Sequence, residues 1–427
     1  MARPQSRIAT IARRAGLLLA GLVTLGAGPL LAQDLQLERS VVLSRHGVRS
    51  PIASPDELAS LASSPWPVWP TASGDVTPRG AELMTLMGSF YREAFSGRGL
   101  ISPERCPKPG MIAAWADVDQ RTRVSAQALL DGLYPHCGIM AQHQADLSRD
   151  DPLFHPVKAG VCAIDPARAE RAILDRVGGR LQDTIDMYST QYNQLQSVLC
   201  PASSSADGKS CGLWSRPTRI VLDDGRVVIR GPIRTASVVT ELFLLESAQG
   251  MPKDQVAWGR LRDDAALRDL MFLHTLDFDL SQRTAYLAKR NGSAMLSGIL
   301  ARLQANDDSR LVFLVGHDTN LSNVAGLLGI HWVIPGFQPD DTTPGGALSF
   351  DLLKNPVTGE RFVRLVYVAQ TLEQMRNRTR LDFNTPAARA EIELPGCSVG
   401  SAGLCPWPRF VEIARQAIDA ECVPAPR

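Results

Sequence analysis

Three short apolar runs in this chain each end on a turn rich in charge or histidine. Val41-Val42-Leu43 gives way to Arg45-His46-Gly47, the run at 111–115 to Asp117-Val118-Asp119, and the run at 311–315 to Gly316-His317-Asp318. Runs this short, without polar alternation, read as strands buried on both faces. Helical spacing follows each of them. Thr77-Pro78 supplies an N-cap and a first-turn proline ahead of Leu83, Leu86, Met87 and Phe90. Ala126, Leu129, Leu130 and Leu133 follow the second run, and Leu321, Val324, Ala325 and Leu328 the third. Two further strands, at 347–353 and 362–369, are joined through Asn355-Pro356 and Thr358-Gly359 as a hairpin-like pair.

From about residue 162 to 290 the pattern is mainly helical: Val238, Leu242 and Leu245 share a stripe, and 265–272 and 281–289 continue the tendency. Residues 219–230, around Asp223-Asp224-Gly225, read either as a small hairpin or as an irregular excursion. Strands alternating with helices at both ends, and helices alone between, predict an α/β fold. Its mixed, mostly parallel sheet, flanked by helices, is expected from 33–160 and 291–427, with a mainly α-helical subdomain inserted at 161–290 and a cleft between the two.

The composition is that of a globular protein: 427 residues, 44% hydrophobic and 21% charged, which excludes disordered, collagen-like and coiled-coil classes. With 45 basic against 44 acidic side chains there is no basic footprint for nucleic acid and no polybasic membrane patch, so anion recognition must be local. The N-terminus has its own logic. Arg3, Arg7, Arg13 and Arg14 precede an apolar, glycine-rich run at 15–31, and Ala32 offers a cleavage point before Gln33. This is the layout of a secretory signal. Residues 1–32 are therefore expected to be removed, leaving a periplasmic or secreted protein without membrane attachment. Arg13-Arg14 leaves the export route open between the general and twin-arginine systems. Loss of the four arginines takes the formal charge from +1 to −3. Eight cysteines, an even number without CxxC spacing, read as up to four structural disulfides rather than zinc ligands. Spacing by itself favours only the short loops Cys200/Cys211 and Cys397/Cys405.

Arg45-His46-Gly47-Val48-Arg49-Ser50-Pro51 and Gly316-His317-Asp318 both follow buried strands, at the carboxyl edge where α/β sheets place ligands. Arg45 and Arg49 offer planar forks of N–H donors suited to phosphate oxygens. An imidazole surrounded by guanidinium groups resists protonation and remains a neutral nucleophile in acid, which suits His46. A carboxyl group facing a bound phosphate dianion is held protonated, which suits Asp318 as the donor to a leaving oxygen. A solvated surface turn explains a lone Arg-His-Gly, but not two such motifs at one sheet edge. The rival readings are a hydrolase with the two histidines and Asp318 as metal ligands, and a phosphate-ester binding protein without turnover.

These motifs resemble those of the histidine acid phosphatases, in the bacterial periplasmic branch containing phytases and glucose-1-phosphatases. Arg45 to Pro51 matches the family's Arg-His-Gly-x-Arg-x-Pro, and Gly316-His317-Asp318-Thr319-Asn320 its second motif. Asp117-Val118-Asp119-Gln120-Arg121-Thr122-Arg123, Asp151-Pro152-Leu153-Phe154, Thr240-Glu241-Leu242-Phe243 and Gln370-Thr371-Leu372 also match, so the similarity runs through nearly the whole mature chain. The resemblance implies a phosphoglycerate-mutase-like fold and a two-step reaction through a phosphohistidine at His46. It implies that Arg45, Arg49 and Arg121, with His317, hold the transferred phosphate, and that Asp318 protonates the leaving oxygen and later helps activate water. Glu241 would face the cleft as a further substrate-binding residue. His274 and Arg283 match positions near the family's cleft, where a structural role is the competing reading. The implied disulfides are Cys106–Cys137, Cys162–Cys422, Cys200–Cys211 and Cys397–Cys405.

No metal or cofactor is implied, and the partner is a small phosphomonoester, phytate or a sugar phosphate, acted on by a monomer. Where the branch's phytases carry Thr-Lys after the first motif, this chain has Ile52-Ala53, which weakens the grip on a polyanion more than on a monophosphorylated sugar. Gly47 and Asp318-Thr319-Asn320 nevertheless side with the phytases. The expectation is a broad acid phosphatase with phytate among its candidate substrates, the alternative being a glucose-1-phosphatase-like sugar phosphatase. Export and the disulfides argue against a mutase.

Overall fold

A computed structural model describes residues 35–201, 212–215, 217–397 and 403–425. Its ten strands are β1 (Gln36–Arg45), β2 (Ile112–Ala116), β3 (Gln142–His143), β4 (Arg219–Asp223), β5 (Arg226–Arg230), β6 (Leu311–Gly316), β7 (Ala347–Lys354), β8 (Arg361–Ala369), β9 (Ala388–Ile392) and β10 (Cys405–Pro406). Eight of them form one sheet in the order β10-β8-β7-β1-β6-β2-β3, with β9 also on β8. The sheet is mixed. β1, β6, β2 and β3 pair in parallel, and β7, β8, β9 and β10 join through antiparallel ladders, so β8 points the same way as β1. The parallel half carries the three strand ends singled out by the sequence.

Alternation in these strands divides the core. Val41, Leu43, Val312 and Leu314 join one apolar cluster, while Val42, Leu311, Phe313 and Val315 join the other. Period-2 geometry sends successive side chains to opposite faces, and helices cover both, which is why the strands are apolar throughout. Helices Pro78–Ser96 and Gln120–Leu133 cover the second face, and Ala285–Gln304, Asp318–Leu328 and Trp407–Ala417 the first. The Thr77 side chain accepts from the Gly80 N–H, as its N-cap position requires.

Between β3 and β6 lie helices Pro166–Arg176, Leu181–Met187, Ser189–Leu199, Pro232–Ala248 and Asp264–Ser281, with the β4–β5 hairpin. That hairpin resolves the ambiguity at 219–230. Asp224 at φ 48° and Gly225 at φ 72° make the two-residue, positive-φ turn that strand twist favours. Residue 290, the expected limit of the helical segment, lies inside Ala285–Gln304, which packs on Asp318–Leu328. Disulfides join Cys106 to Cys137, Cys162 to Cys422 and Cys397 to Cys405, as the resemblance implied. Cys200 is disulfide-bonded, and its expected partner Cys211 lies outside the described residues, as does the expected signal segment 1–32. Among the described residues no helix is long and apolar enough to cross a membrane.

One buried carboxyl ties the cleft-side helix Pro232–Ala248 to its surroundings. Glu246 accepts the Ala257 N–H at 2.9 Å, holding a turn in which Ala257 and Trp258 adopt φ of 47° and 55°. Burial pushes its carboxyl up to about 8, against which the single backbone hydrogen bond acts only in part. A carboxyl raised in the folded state is protonated there while the unfolded chain ionises, so its contribution is complete below the unfolded value near 4.5 and is lost as pH rises toward 8. Unfolding free energy is thus expected to fall on the order of a few kcal/mol between pH 4.5 and 8, and Glu246→Gln should flatten that slope in denaturant titrations.

Candidate active site

Parallel β1, β6 and β2 end side by side, and their terminal residues converge. The His46 N–H donates to the Gly316 carbonyl at 2.9 Å, and the Gly345 N–H donates to the His46 carbonyl at 2.9 Å, so the loop after β1 is pinned to β6 and to the segment entering β7. The two motif glycines allow this approach. A Cβ at Gly47 would lie 2.7 Å from the Gly80 carbonyl oxygen, and one at Gly316 would lie 2.5 Å from Asn320 Oδ1 and 2.6 Å from a Phe154 ring carbon. Only hydrogen fits at either place.

His46 is 1% exposed, and its Nδ1 lies 2.8 Å from the Gly47 carbonyl oxygen. A carbonyl accepts only, so Nδ1 carries the proton and the lone pair sits on Nε2. Burial holds this imidazole well below its ordinary value, and Arg121, Arg45, Arg49 and His317 lower it further. The ring stays neutral in acid. His317 stands edge-on to it, with ring centroids 5.6 Å apart.

Arg45 has no exposed surface. Its Nη1 donates to the Thr342 carbonyl at 2.6 Å, and its Nη2 meets Asp318 Oδ2 at 3.0 Å and also Glu241 Oε1. Arg49 Nη2 meets Glu241 Oε2 at 3.1 Å, so Glu241 spans both arginines. Burial raises the Glu241 carboxyl, but Arg49 and Arg45 outweigh it and hold the group well below the usual carboxylate range. For Asp318 burial likewise raises, and Arg45 and Arg49 prevail, so it is an anion in the substrate-free site. Arg121 enters from the first turn of Gln120–Leu133, paired with Asp119 at 2.6 Å and donating toward His317 Nδ1 at 3.4 Å. The Nε donors of Arg45, Arg49 and Arg121 are all buried without a partner. Buried N–H groups are almost always satisfied in folded proteins. Three orphaned guanidinium donors around one neutral imidazole make a receptor for a multiply charged oxyanion.

The seven residues anticipated from sequence, Arg45, His46, Arg49, Arg121, Glu241, His317 and Asp318, are thus brought together. His274 lies beside them, with Nδ1 3.1 Å from Ser237 Oγ and a buried, unpartnered Nε2. Arg283 is committed elsewhere. It donates to the Ile330 carbonyl at 2.7 Å and pairs with Asp340 at 3.3 Å.

Sequence reasoning did not assign three side chains found here. Asp341 is buried with both oxygens unpartnered, and burial pushes it up to about 6 despite His274 and Arg45 nearby. Asp117 closes the apolar run of β2, a position that could have marked it, and accepts from His317 Nε2 at 2.7 Å. His155, in a loop without periodicity, reaches the same Asp117 oxygen at 2.7 Å. Among the described residues, Asp117, His155 and His317 are the one group with metal-ligand types close together, within 4.8 Å. Both imidazole Nε2 atoms there are engaged with the carboxylate, and neither His46 nor Asp318 takes part.

The model of the histidine phosphatase superfamily (branch 2) matches residues 36–368. The phytase AppA of Escherichia coli is 37% identical over 408 residues, 91% of this chain and 94% of that protein. A glucose-1-phosphatase of Providencia rettgeri is 27% identical over 392 residues, 90% of this chain and 93% of that one. The Hafnia alvei phytase in complex with tartrate superposes with TM-score 0.87 at 39% identity, covering 92% of this chain and 99% of that one. The same phytase in complex with myo-inositol hexakis sulphate gives 0.86 at 38%, with the same coverage. A match of this extent, carried by the motifs that build the pocket, establishes that the chain belongs to branch 2 of the histidine phosphatase superfamily.

Proposed function

We propose that this chain is an exported acid phosphatase that hydrolyses phosphomonoesters through a phosphohistidine at His46. The observation that carries the reading is a neutral imidazole with its Nε2 lone pair free, facing three buried guanidinium groups with unspent donors. Arg45, Arg49, Arg121 and His317 bind the phosphate, and Glu241 keeps Arg45 and Arg49 in place. The His46 Nε2 lone pair attacks phosphorus, and the ester P–O bond breaks with its electron pair on the leaving oxygen. Asp318 supplies the proton. It is ionised in the empty site, but a bound phosphate dianion offsets Arg45 and Arg49 and raises it, so the acid is prepared by the substrate itself. Water then attacks phosphorus, Asp318 takes its proton, and the N–P electron pair returns to Nε2. On this reading 33–160 and 291–427 form the catalytic unit, 161–290 the subdomain over its cleft, and 1–32 a signal removed after Ala32.

Phytate is the substrate we favour, on the likeness to phytases that runs along most of the chain. At the mouth, Ile52 is 56% exposed and adds no charge. It lies near Arg121, since a Cβ on Gly74 would be 3.5 Å from Ile52 Cγ1 and 3.7 Å from Arg121 Nη1. Peripheral phosphates are therefore held loosely there, and smaller sugar phosphates remain competent substrates.

Acid-quenched wild-type protein turning over a ³²P-labelled ester should carry label on His46, and His46→Ala should carry none while losing at least about 10³-fold in kcat. A labelled His46→Ala variant rules the mechanism out. Asp318→Asn should slow poor leaving groups by about 10²-fold or more while p-nitrophenyl phosphate, whose phenolate needs no proton, changes far less; equal slowing would remove Asp318 as the donor. Adding a cation at the mouth with Ile52→Lys should lower KM for phytate about 3- to 10-fold at low salt and leave that for p-nitrophenyl phosphate unchanged, as read from steady-state kinetics on both substrates.

A further inference from the structure

We propose that His155 is a positioning residue of the phosphate pocket, which competes through a shared carboxylate for the proton that His317 needs to hold a phosphate oxygen. The inference rests on the reading of His317 as a phosphate ligand. Asp117 is fully buried, and its Oδ2 accepts from His155 Nε2 and from His317 Nε2, each at 2.7 Å, while its Oδ1 accepts the Val118 N–H at 2.8 Å. The two imidazoles lie 5.2 Å apart between centroids. With its Nε2–H given to Asp117, neutral His317 turns a bare Nδ1 to the pocket, where it accepts from Arg121. A phosphate oxygen also offers only lone pairs. To bind it, His317 must take up a proton at Nδ1 and become an imidazolium whose opposite edge rests on Asp117. The balance is one proton, drawn from solvent or from a phosphate monoanion, and one new N–H bond.

One carboxylate oxygen supports one imidazolium well, whereas two at this spacing repel. The His155 side chain is 24% exposed against 7% for His317, so it is the less desolvated of the two imidazoles. Burial already lowers His317, Arg121 and His155 lower it further, and Asp117 opposes them. The charged groups facing the pair from neighbouring elements are few. Asp119, the N-cap of Gln120–Leu133, pairs with Arg121 at 2.6 Å and also lies 3.4 Å from His317 Nε2, so it favours charge on His317 and not on His155. Asp151, in the turn that carries His155, accepts from Trp115 Nε1 at 2.8 Å and from the Leu153 N–H at 2.9 Å, and Arg302 of Ala285–Gln304 feels its charge. His46 lies beyond His317.

The arrangement is fixed in place. The His155 N–H donates to the Asp151 carbonyl at 2.9 Å, and Asn320 Nδ2 donates to the Phe154 carbonyl at 2.8 Å, tying this turn to the start of Asp318–Leu328. These ties hold the backbone of His155 beside Asp117.

His155→Asn keeps an N–H donor near Asp117 and removes the competing base. The basic limb of kcat/KM for p-nitrophenyl phosphate should move up by about half a pH unit, and inorganic phosphate should inhibit about 3-fold more tightly near neutral pH. An unmoved limb, or a uniform loss at every pH, overturns the proposal. Should the variant not fold, ring-carbon NMR of the wild-type chain decides: inorganic phosphate should shift the His155 ring resonances together with those of His317, and a His155 spectrum indifferent to phosphate overturns it. The two readings fail separately. Absence of label on His46 sinks the phosphatase mechanism, while label on His46 with an unmoved limb sinks only the role of His155.

Discussion

A guanidinium with no surface in water is the constraint on which this molecule turns. Leaving Arg45 buried without carboxylates beside it would cost several kcal/mol, because an isolated charge is poorly supported in a protein interior. Glu241 and Asp318 provide that support from two different parts of the chain, one on a helix of the central segment and one at the first turn after β6. Arg45 thereby joins the end of β1, the helix Pro232–Ala248 and the start of Asp318–Leu328 in one buried ion-pair cluster. His46 is affected by the same arrangement, since the cations that need those carboxylates also disfavour its protonation.

The two carboxylates on Arg45 are chemically unlike in consequence. Glu241 is shared with Arg49 and is held by two cations, which fixes it as an anion over the acid range. Among the described residues Asp318 forms an ion pair with Arg45 alone; its Oδ1 accepts the Thr319 N–H at 2.8 Å at the start of Asp318–Leu328, where the N-terminal peptide dipoles add to the pull on its charge. In the proposed reaction the arrival of phosphate reverses the balance at Asp318 more easily than at Glu241, and this difference in partnering separates a strut from a proton donor.

Much of this was legible in the sequence because buried parallel strands leave an unmistakable mark. A strand covered on both faces must be apolar throughout, and the first polar residues beyond it sit at the sheet edge, so 41–46 and 311–318 announced both their structure and their place. Helix Pro232–Ala248 was harder. Nearly all its residues are buried, so the stripe of Val238, Leu242 and Leu245 gave no sense of which side met the site, and Glu241 was placed through resemblance. Arg121 left no trace in periodicity, because its inward aim is set by helix Gln120–Leu133 as a whole. His155 was invisible for a related reason: its partners are 38 and 162 residues away in the chain, in a loop whose composition looks ordinary.

The bridge between Cys162 and Cys422 spans 260 residues and passes over the cysteines at 200, 211, 397 and 405. A chain oxidised in the order of its emergence would join neighbours and trap Cys162 with Cys200 before Cys422 was available. The native pairing can therefore close only after nearly the whole chain exists, and any earlier bond made by Cys162 has to be exchanged before the helical segment is tied to the C-terminus.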